Sequence, residues 1–220
     1  MPRTIAIGDI HGCLAALEAV LAAIQPTSED TLVTVGDYID RGPDSKGVID
    51  RLIELSGRVK LVPLKGNHEE MMLDVLERRQ EPYGWLNHGG VQTMESYGFC
   101  GDLACVPEMH IEFLRNLKDY FEDESHFVVH ANYDPRLALD EQPTEFLRWI
   151  KLTEQMPSPH VSGKQAIVGH THERQGQIVR SPHLICLDTY CYGGKWLTAM
   201  ELKSGEIWQA TKDGQLLTPN

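Results

Sequence analysis

The sequence predicts an α/β fold with a second, largely antiparallel sheet, and three observations carry that expectation. Short apolar runs near the N-terminus each pass straight into a polar loop, stretches with helical apolar spacing separate them, and the C-terminal part alternates brief β-prone segments with turn residues. The first run, residues 4–7, is apolar and partly β-branched. A glycine-bounded turn follows at 8–12, and residues 13–25 carry a helical stripe at Leu14, Leu17, Leu21 and Ile24. Residues 26–30 end that helix, 32–35 form a second buried strand, and 36–43 make a glycine-flanked loop rich in carboxylates, so the chain opens as a βαβ unit. A helix over 45–55 precedes a third strand at 59–64, a loop at 66–69 and a helix at 70–79 with Met71, Met72, Val75 and Leu76 on its apolar face.

Residues 82–121 read as helical, with breaks at Gly89-Gly90 and across 98–107, and are expected to form a cap or helical layer. Two short strands then end in histidine, 127–129 at His130 and 166–168 at Gly169-His170. The runs 177–180, 184–187, 196–202 and 206–210 suggest a meander. No repeat, low-complexity tract or linker divides the chain, so residues 1–220 are expected to form one domain. No apolar run approaches the roughly 18 residues of a membrane span, and the N-terminus enters a strand without the marks of a secretory signal, which points to a cytoplasmic address and no membrane partner. A formal charge of −12 with scattered basic residues argues against a nucleic-acid partner. Five cysteines, an odd number with no secretion signal, argue against a disulfide framework.

Loops at the carboxyl ends of strands are where ligand groups converge in α/β proteins. In chain order these loops carry Asp9 and His11, then Asp37, Asp40 and Arg41, then Asn67 and His68, then His130, and finally His170. Taken singly, Asp9 reads as a helix cap, Asp37 and Asn67 as turn residues and the histidines as satisfied buried groups. Caps and turns do not require His-Gly, Asp-Arg-Gly and Asn-His-Glu at successive strand ends, so the set points to chemistry. Asp, His and Asn together suit manganese, iron or zinc, and the absence of cysteine from the set argues against a structural zinc site. The number of ligands implies two ions.

Gly8-Asp9-Ile10-His11-Gly12, Gly36-Asp37-Tyr38-Ile39-Asp40-Arg41-Gly42 and Gly66-Asn67-His68-Glu69 resemble the three signature loops of the phosphoprotein-phosphatase branch of the calcineurin-like metallophosphoesterases. GDYIDRGPDSKGVIDRLIEL, GNHEEMML and WLNHGGVQTMESYG are particularly similar to the bacterial and phage serine/threonine protein phosphatases, and with His130 and Gly169-His170-Thr171 the likeness covers most of the chain. The resemblance implies two mixed β-sheets forming a central sandwich flanked by helices, with a dinuclear metal site at the sheet edge. It implies that Asp9 and His11 bind one metal, Asp37 bridges both, and Asn67, His130 and His170 bind the second. The cofactors implied are two divalent ions, manganese foremost with iron or zinc as alternatives. A bridging carboxylate holds two cations roughly 3.5 to 4 Å apart, and the pair acidifies a shared water so that hydroxide attacks phosphorus near neutral pH. His68, following the ligand Asn67, is then free to protonate the leaving alkoxide, with Asp40 fixing its orientation. Arg41 and Asn67 would contact the phosphate, Arg41 through its planar fork.

A second phosphate-gripping arginine is expected from the resemblance, with Arg148 the first candidate and Arg136 a weaker rival. Asp188-Thr189-Tyr190-Cys191 stands where bacterial members more often have a small residue, and Tyr190-Cys191 resembles a eukaryotic phosphatase loop that places a tyrosine near the phosphate. His172 is expected to support or flank the ligands. The expected substrate is a phosphate monoester, chiefly phosphoserine or phosphothreonine in proteins. A symmetrical dinucleoside tetraphosphatase is the alternative on the same fold; those enzymes usually carry Gln where His11 stands and a different residue in the place of Asp40. A catalytically inactive, metal-dependent module that binds phosphorylated ligands is the third reading, against which His68, Asp40 and Arg41 weigh.

Overall fold

The computed structural model describes residues 2–99, 101 and 103–217. Two five-stranded sheets face each other. In the first, β1 (Thr4–Ile7), β2 (Thr31–Thr34) and β3 (Lys60–Pro63) run parallel, linked by helices α1 (Leu14–Ile24) and α2 (Ser45–Ser56). Helix α3 (Asn67–Leu76) follows β3; then come α4 (Tyr83–Trp85), α5 (Val91–Ser96) and α6 (Glu108–Arg115), which pack on α2 and α3 as a helical layer. The second sheet orders β4 (Tyr120–Glu122), β5 (His126–Val129), β6 (Gln165–Val168), β8 (Leu184–Cys186) and β7 (Val179–Ser181), with the short helix α7 (Thr144–Arg148) between β5 and β6. Strands β9 (Trp196–Glu201) and β10 (Ile207–Thr211) return to the first sheet beside β1.

Side-chain alternation along the strands sets the layers. Ile5 and Ile7 of β1 join the core beneath the helices while Ala6 joins the core between the sheets, and Leu32 and Val33 of β2 divide in the same way. In β5, Val128 faces the first sheet, whereas Phe127 and Val129 pack outward with Tyr133 and Leu147. Strands β1 and β2, buried on both faces, read as continuous apolar runs in the sequence.

Four expectations need correction. The second sheet is mixed, because β5, β6 and β8 are parallel and only the edge strands β4 and β7 are antiparallel. The C-terminal runs do not form one meander: β7 and β8 complete the second sheet, β9 and β10 the first. Alternation fixes which face of a strand is buried but not which strand it pairs with. Residues 120 and 121, read as the end of the helical stretch, belong to strand β4 on β5. Helix α3 begins at Asn67, not at residue 70, since the Glu69 carboxylate accepts the Gly66 N–H at 2.9 Å and caps the first turn. Cys13, Cys186 and Cys191 are buried thiols outside any disulfide, and Cys100 lies outside the described residues. No helix among the described residues is long and apolar enough to cross a membrane.

The start of β1 is tied to the loop before β2. Asp30 accepts from the Arg3 backbone at 3.0 Å and from the Arg3 guanidinium at 3.2 and 2.7 Å, and the Thr27 N–H adds a bond at 2.9 Å. Arg3, and then Thr27, hold the Asp30 carboxyl well below the usual carboxylate range against the opposing effect of burial. A depressed folded-state pKa gives stability that is complete above the unfolded value near 3.9 and is lost as pH falls below it. Asp30→Asn is therefore expected to cost about 1–2 kcal/mol at neutral pH, a gap that narrows as pH falls below about 4 and closes only through the depressed folded-state value, measured by denaturant unfolding from neutral pH downward.

Candidate active site

Six strand ends meet in the cleft between the sheets. From the first sheet, β1 leads into Asp9 and His11, β2 into Asp37, Asp40 and Arg41, and β3 into Asn67 and His68. From the second, β5 leads into His130, β6 into His170 and β8 into Asp188. The loops are conformationally costly. Six of the eight non-glycine residues with positive φ among the described residues are His11, Asp37, Asp40, Arg41, His170 and Tyr190. Backbone strain of about 1–3 kcal/mol per residue concentrated in one place is characteristic of sites held by their surroundings. Gly36 (φ 112°) is required because a Cβ there would lie 2.7 Å from the His130 ring, and a Cβ on Gly66 would collide with the Asp37 carboxylate.

Asp37 occupies the middle. Its Oδ2 lies 3.5 Å from His11 Nε2 and 3.9 Å from His68 Nε2, while its Oδ1 lies 3.4 Å from His130 Nε2. The carboxylate thus presents its two oxygens to two sets of groups. One set is His11, Asp37 and His68, the other Asp37, His130 and His170, each with ligand atoms within 4.8 Å of one another. Three rings spend their N–H elsewhere: His11 Nδ1 donates to the Ile39 carbonyl at 2.9 Å, His130 Nδ1 to Val35 at 2.9 Å and His170 Nε2 to Trp149 at 3.0 Å. Each is left with a lone pair on its other nitrogen, and His130 Nε2 lies 3.2 Å from Asn67 Oδ1, acceptor against acceptor. Asp9 stands outside both sets; its Oδ2 accepts the His170 N–H at 2.9 Å and its buried Oδ1 has no partner. The converging lone pairs of His130 and His170, together with the orphaned buried oxygen of Asp9, fit bound cations, while the lone pair of His11 is met by the Arg41 guanidinium.

The electrostatics sort the histidines. Burial, reinforced by Arg41, holds His11 neutral; burial does the same for His130; and burial with His130 pushes His170 down to about 3. His68 shifts the other way: burial opposes its charge, but Asp37 and the hydrogen bond to Asp40 outweigh it and raise its pKa. Burial pushes Asp9 well above the usual carboxylate range, with Asp188 and Asp37 adding repulsion. Burial opposes the Asp37 charge, but the surrounding histidines hold its carboxyl below that range, and of these His68 is the one favoured as a cation. Divalent cations would relieve the strain on Asp9 and suit the neutral imidazoles.

His68 Nδ1 lies 2.5 Å from Asp40 Oδ2, and its buried Nε2, which has no hydrogen-bond partner, faces into the cleft. Arg41 reaches across the cleft, with Nη1 2.8 Å from His11 Nε2 and the guanidinium carbon 4.6 Å from the centre of the Tyr192 ring. Arg148 directs Nη1 to Glu70 at 2.9 Å and Nη2 to Asp119. Arg136 pairs with Asp134 at 2.7 Å and points into solvent. Tyr190 stacks on His172, with ring centres 4.7 Å apart and planes 19° apart.

Sequence reasoning missed three participants. Tyr192, not Tyr190, packs against Arg41 and edge-on against His11 at 4.8 Å. Asp188 is buried, and its carboxyl is pushed up to about 7, chiefly by burial. Glu69 spans the Asp37 and Asn67 loops by accepting from the backbone of Asp37 at 3.0 Å, Tyr38 at 2.8 Å and Gly66 at 2.9 Å. Only Glu69 had a local signal, a glutamate at the third position of a helix. The other two act across long stretches of chain.

A family model for calcineurin-like phosphoesterases matches residues 2–174. Among curated proteins, the serine/threonine-protein phosphatase 1 of Salmonella typhimurium is 42% identical over 139 residues, 58% of this chain and 57% of that protein. A symmetrical bis(5'-nucleosyl)-tetraphosphatase of Acidovorax sp. is 46% identical over 119 residues, 46% of this chain and 41% of that protein. The chain thus spans about half the length of these curated relatives. Among solved structures, that of a candidate diadenosine tetraphosphatase matches with a TM-score of 0.71 at 26% identity, covering 96% of this chain and 95% of that one. A cold-active protein tyrosine phosphatase matches with a TM-score of 0.69 at 16% identity, covering 99% and 78%, a likeness of fold alone.

Proposed function

The chain belongs to the calcineurin-like phosphoesterase family, and from that premise we propose that it hydrolyses phosphate monoesters, chiefly phosphoserine and phosphothreonine in proteins, with His68 as general acid. The observation that carries this reading is the state of His68: Nδ1 is tied to Asp40, the ring is favoured as a cation, and Nε2 is buried, unpartnered and 3.9 Å from Asp37. A module that only binds phosphorylated ligands has no need of a charged donor beside a metal cluster. On this reading Asp9 and His11 hold one divalent ion, Asn67, His130 and His170 the other, and Asp37 both. The ion we assign is manganese, with iron and zinc compatible with the same donors. When bound, the ions supply an activated water and neutralise charge on the phosphate.

The chain's own residues do the rest. Arg41, whose guanidinium lies over the Tyr192 ring, turns its fork onto phosphate oxygens and stabilises the charge that develops there. Arg148, the candidate for a second grip, has both terminal nitrogens engaged by Glu70 and Asp119, so the grip is assigned to Arg41 alone. As the bond from phosphorus to the leaving oxygen breaks, His68 passes its Nε2 proton to that oxygen, and Asp40 stabilises the ring through Nδ1.

A second reading has its own observation. A cleft of about 470 Å³ beside His170 is lined by Lys151, Arg174 and His172, with Glu173 as its one carboxylate, and the His172–Tyr190 stack continues through Tyr192 to Arg41. Aromatic faces with basic side chains suit a nucleobase and further phosphates, as in a dinucleoside tetraphosphate. Phosphate release from a phosphoserine peptide and nucleotide release from diadenosine tetraphosphate, measured side by side with manganese-loaded protein, separate the readings. A higher kcat/KM for the peptide is expected. Faster turnover of the dinucleotide overturns the first reading, and binding of either without turnover overturns both.

A further inference from the structure

Asp40 carries more hydrogen bonds than orienting one imidazole requires. Besides His68, its carboxylate accepts the indole N–H of Trp85 at 3.0 Å on Oδ1 and 2.9 Å on Oδ2, and the Thr93 hydroxyl at 2.6 Å on Oδ1. Its backbone N–H is shared between Ser45 Oγ at 3.0 Å and Thr93 Oγ1 at 2.8 Å, which lie 2.9 Å apart. A carboxylate only accepts, so the single Thr93 hydroxyl proton goes to Asp40; Ser45 must then donate to Thr93. The ring of bonds closes with every donor directed, and Asp40, Thr93, Ser45 and Trp85 are all buried. Asp40 also sits at φ 72°, in the left-handed region that aspartate reaches more readily than most residues, and the bonds to its backbone N–H and carboxylate hold it there.

We propose that Trp85 and Thr93 are positioning residues, which hold the Asp40 side chain at one angle so that His68 presents its Nε2 proton to the leaving oxygen. The inference rests on the reading of His68 as general acid and assigns a task to the helical layer. Trp85 closes α4 and Thr93 lies in α5, 45 and 53 residues from Asp40. The segment between them is fitted to this purpose. A Cβ on Gly90 would press into the Trp85 ring at 2.7 Å, so glycine lets the backbone lie on the indole, and the Gly89 carbonyl accepts the Arg41 N–H at 3.2 Å. The same short segment therefore anchors both the residue behind the proton donor and the proposed phosphate grip. Packing alone would be served by phenylalanine at 85 and valine at 93; only the hydrogen bonds demand tryptophan and threonine.

The test uses Trp85→Phe, Thr93→Val and Thr93→Ser in the manganese-loaded full chain. The substrates are a phosphoserine peptide, whose alkoxide leaves only with a proton, and p-nitrophenyl phosphate, whose phenolate leaves without one. Trp85→Phe and Thr93→Val are expected to lower kcat on the peptide by about tenfold or more and on the aryl ester by less than about threefold, with metal content unchanged and Thr93→Ser near wild type. In a His68→Asn background neither change should lower kcat further. Equal losses on both substrates, no loss on either, or a further loss in that background overturns the inference. If His68→Asn shows the leaving-group dependence and the Trp85 and Thr93 variants do not, only the positioning role falls. If His68→Asn shows none, the general-acid reading falls and takes this inference with it. Should Trp85→Phe fail to fold, the comparison of valine with serine at 93 decides.

Discussion

Exchanging Asp37 for asparagine is expected to weaken the binding of both metal ions by more than about a hundredfold and to leave almost no turnover. Losing a group that merely supports a metal ligand already costs about 10- to 100-fold, and Asp37 is the group the two halves of the site share. Its oxygens face opposite ways, Oδ2 toward His11 at 3.5 Å and Oδ1 toward His130 at 3.4 Å. An amide keeps the shape but gives up the negative charge and one of the two lone-pair-bearing oxygens. Elemental analysis after equilibration with manganese, together with phosphate release, reads both effects on one sample. Two ions bound and an unchanged rate in Asp37→Asn would refute the shared role.

Replacing His68 with asparagine separates the chemistry from the metals. Asparagine retains a donor toward Asp40 but has no proton to give at the leaving oxygen, and a general acid is worth about 10²- to 10⁴-fold. The loss should reach that size with a phosphoserine peptide and nearly vanish with p-nitrophenyl phosphate, while two ions stay bound. His68 lies in the same close grouping as His11 and Asp37, so a ligand role is the competing assignment. A fall in metal content with equal losses on both substrates would establish that role and remove the proton donor from the mechanism.

Much of the site was legible because its residues sit immediately after apolar strands. Asp9 after β1, Asp37 after β2, Asn67 after β3, His130 after β5 and His170 after β6 needed only local pattern to be found. What escaped acts over distance. Trp85 reaches Asp40 across 45 residues, and Tyr192 meets Arg41 from the far end of the chain. Nothing local distinguishes such an indole or phenol from an ordinary core aromatic. The two sheets were partly legible for a related reason: the periodicity of β7 to β10 showed buried faces, but their division between two sheets depends on contacts made after the chain turns back. Arg148 shows the converse, a residue chosen for its type whose surroundings include two carboxylates that no local pattern reveals.

The decisive measurement is the number of manganese ions bound per chain by metal-stripped protein after equilibration and removal of free metal. Loops from both sheets, joined through Asp37, predict two. One ion, or none, in a folded chain would contradict the shared dinuclear centre.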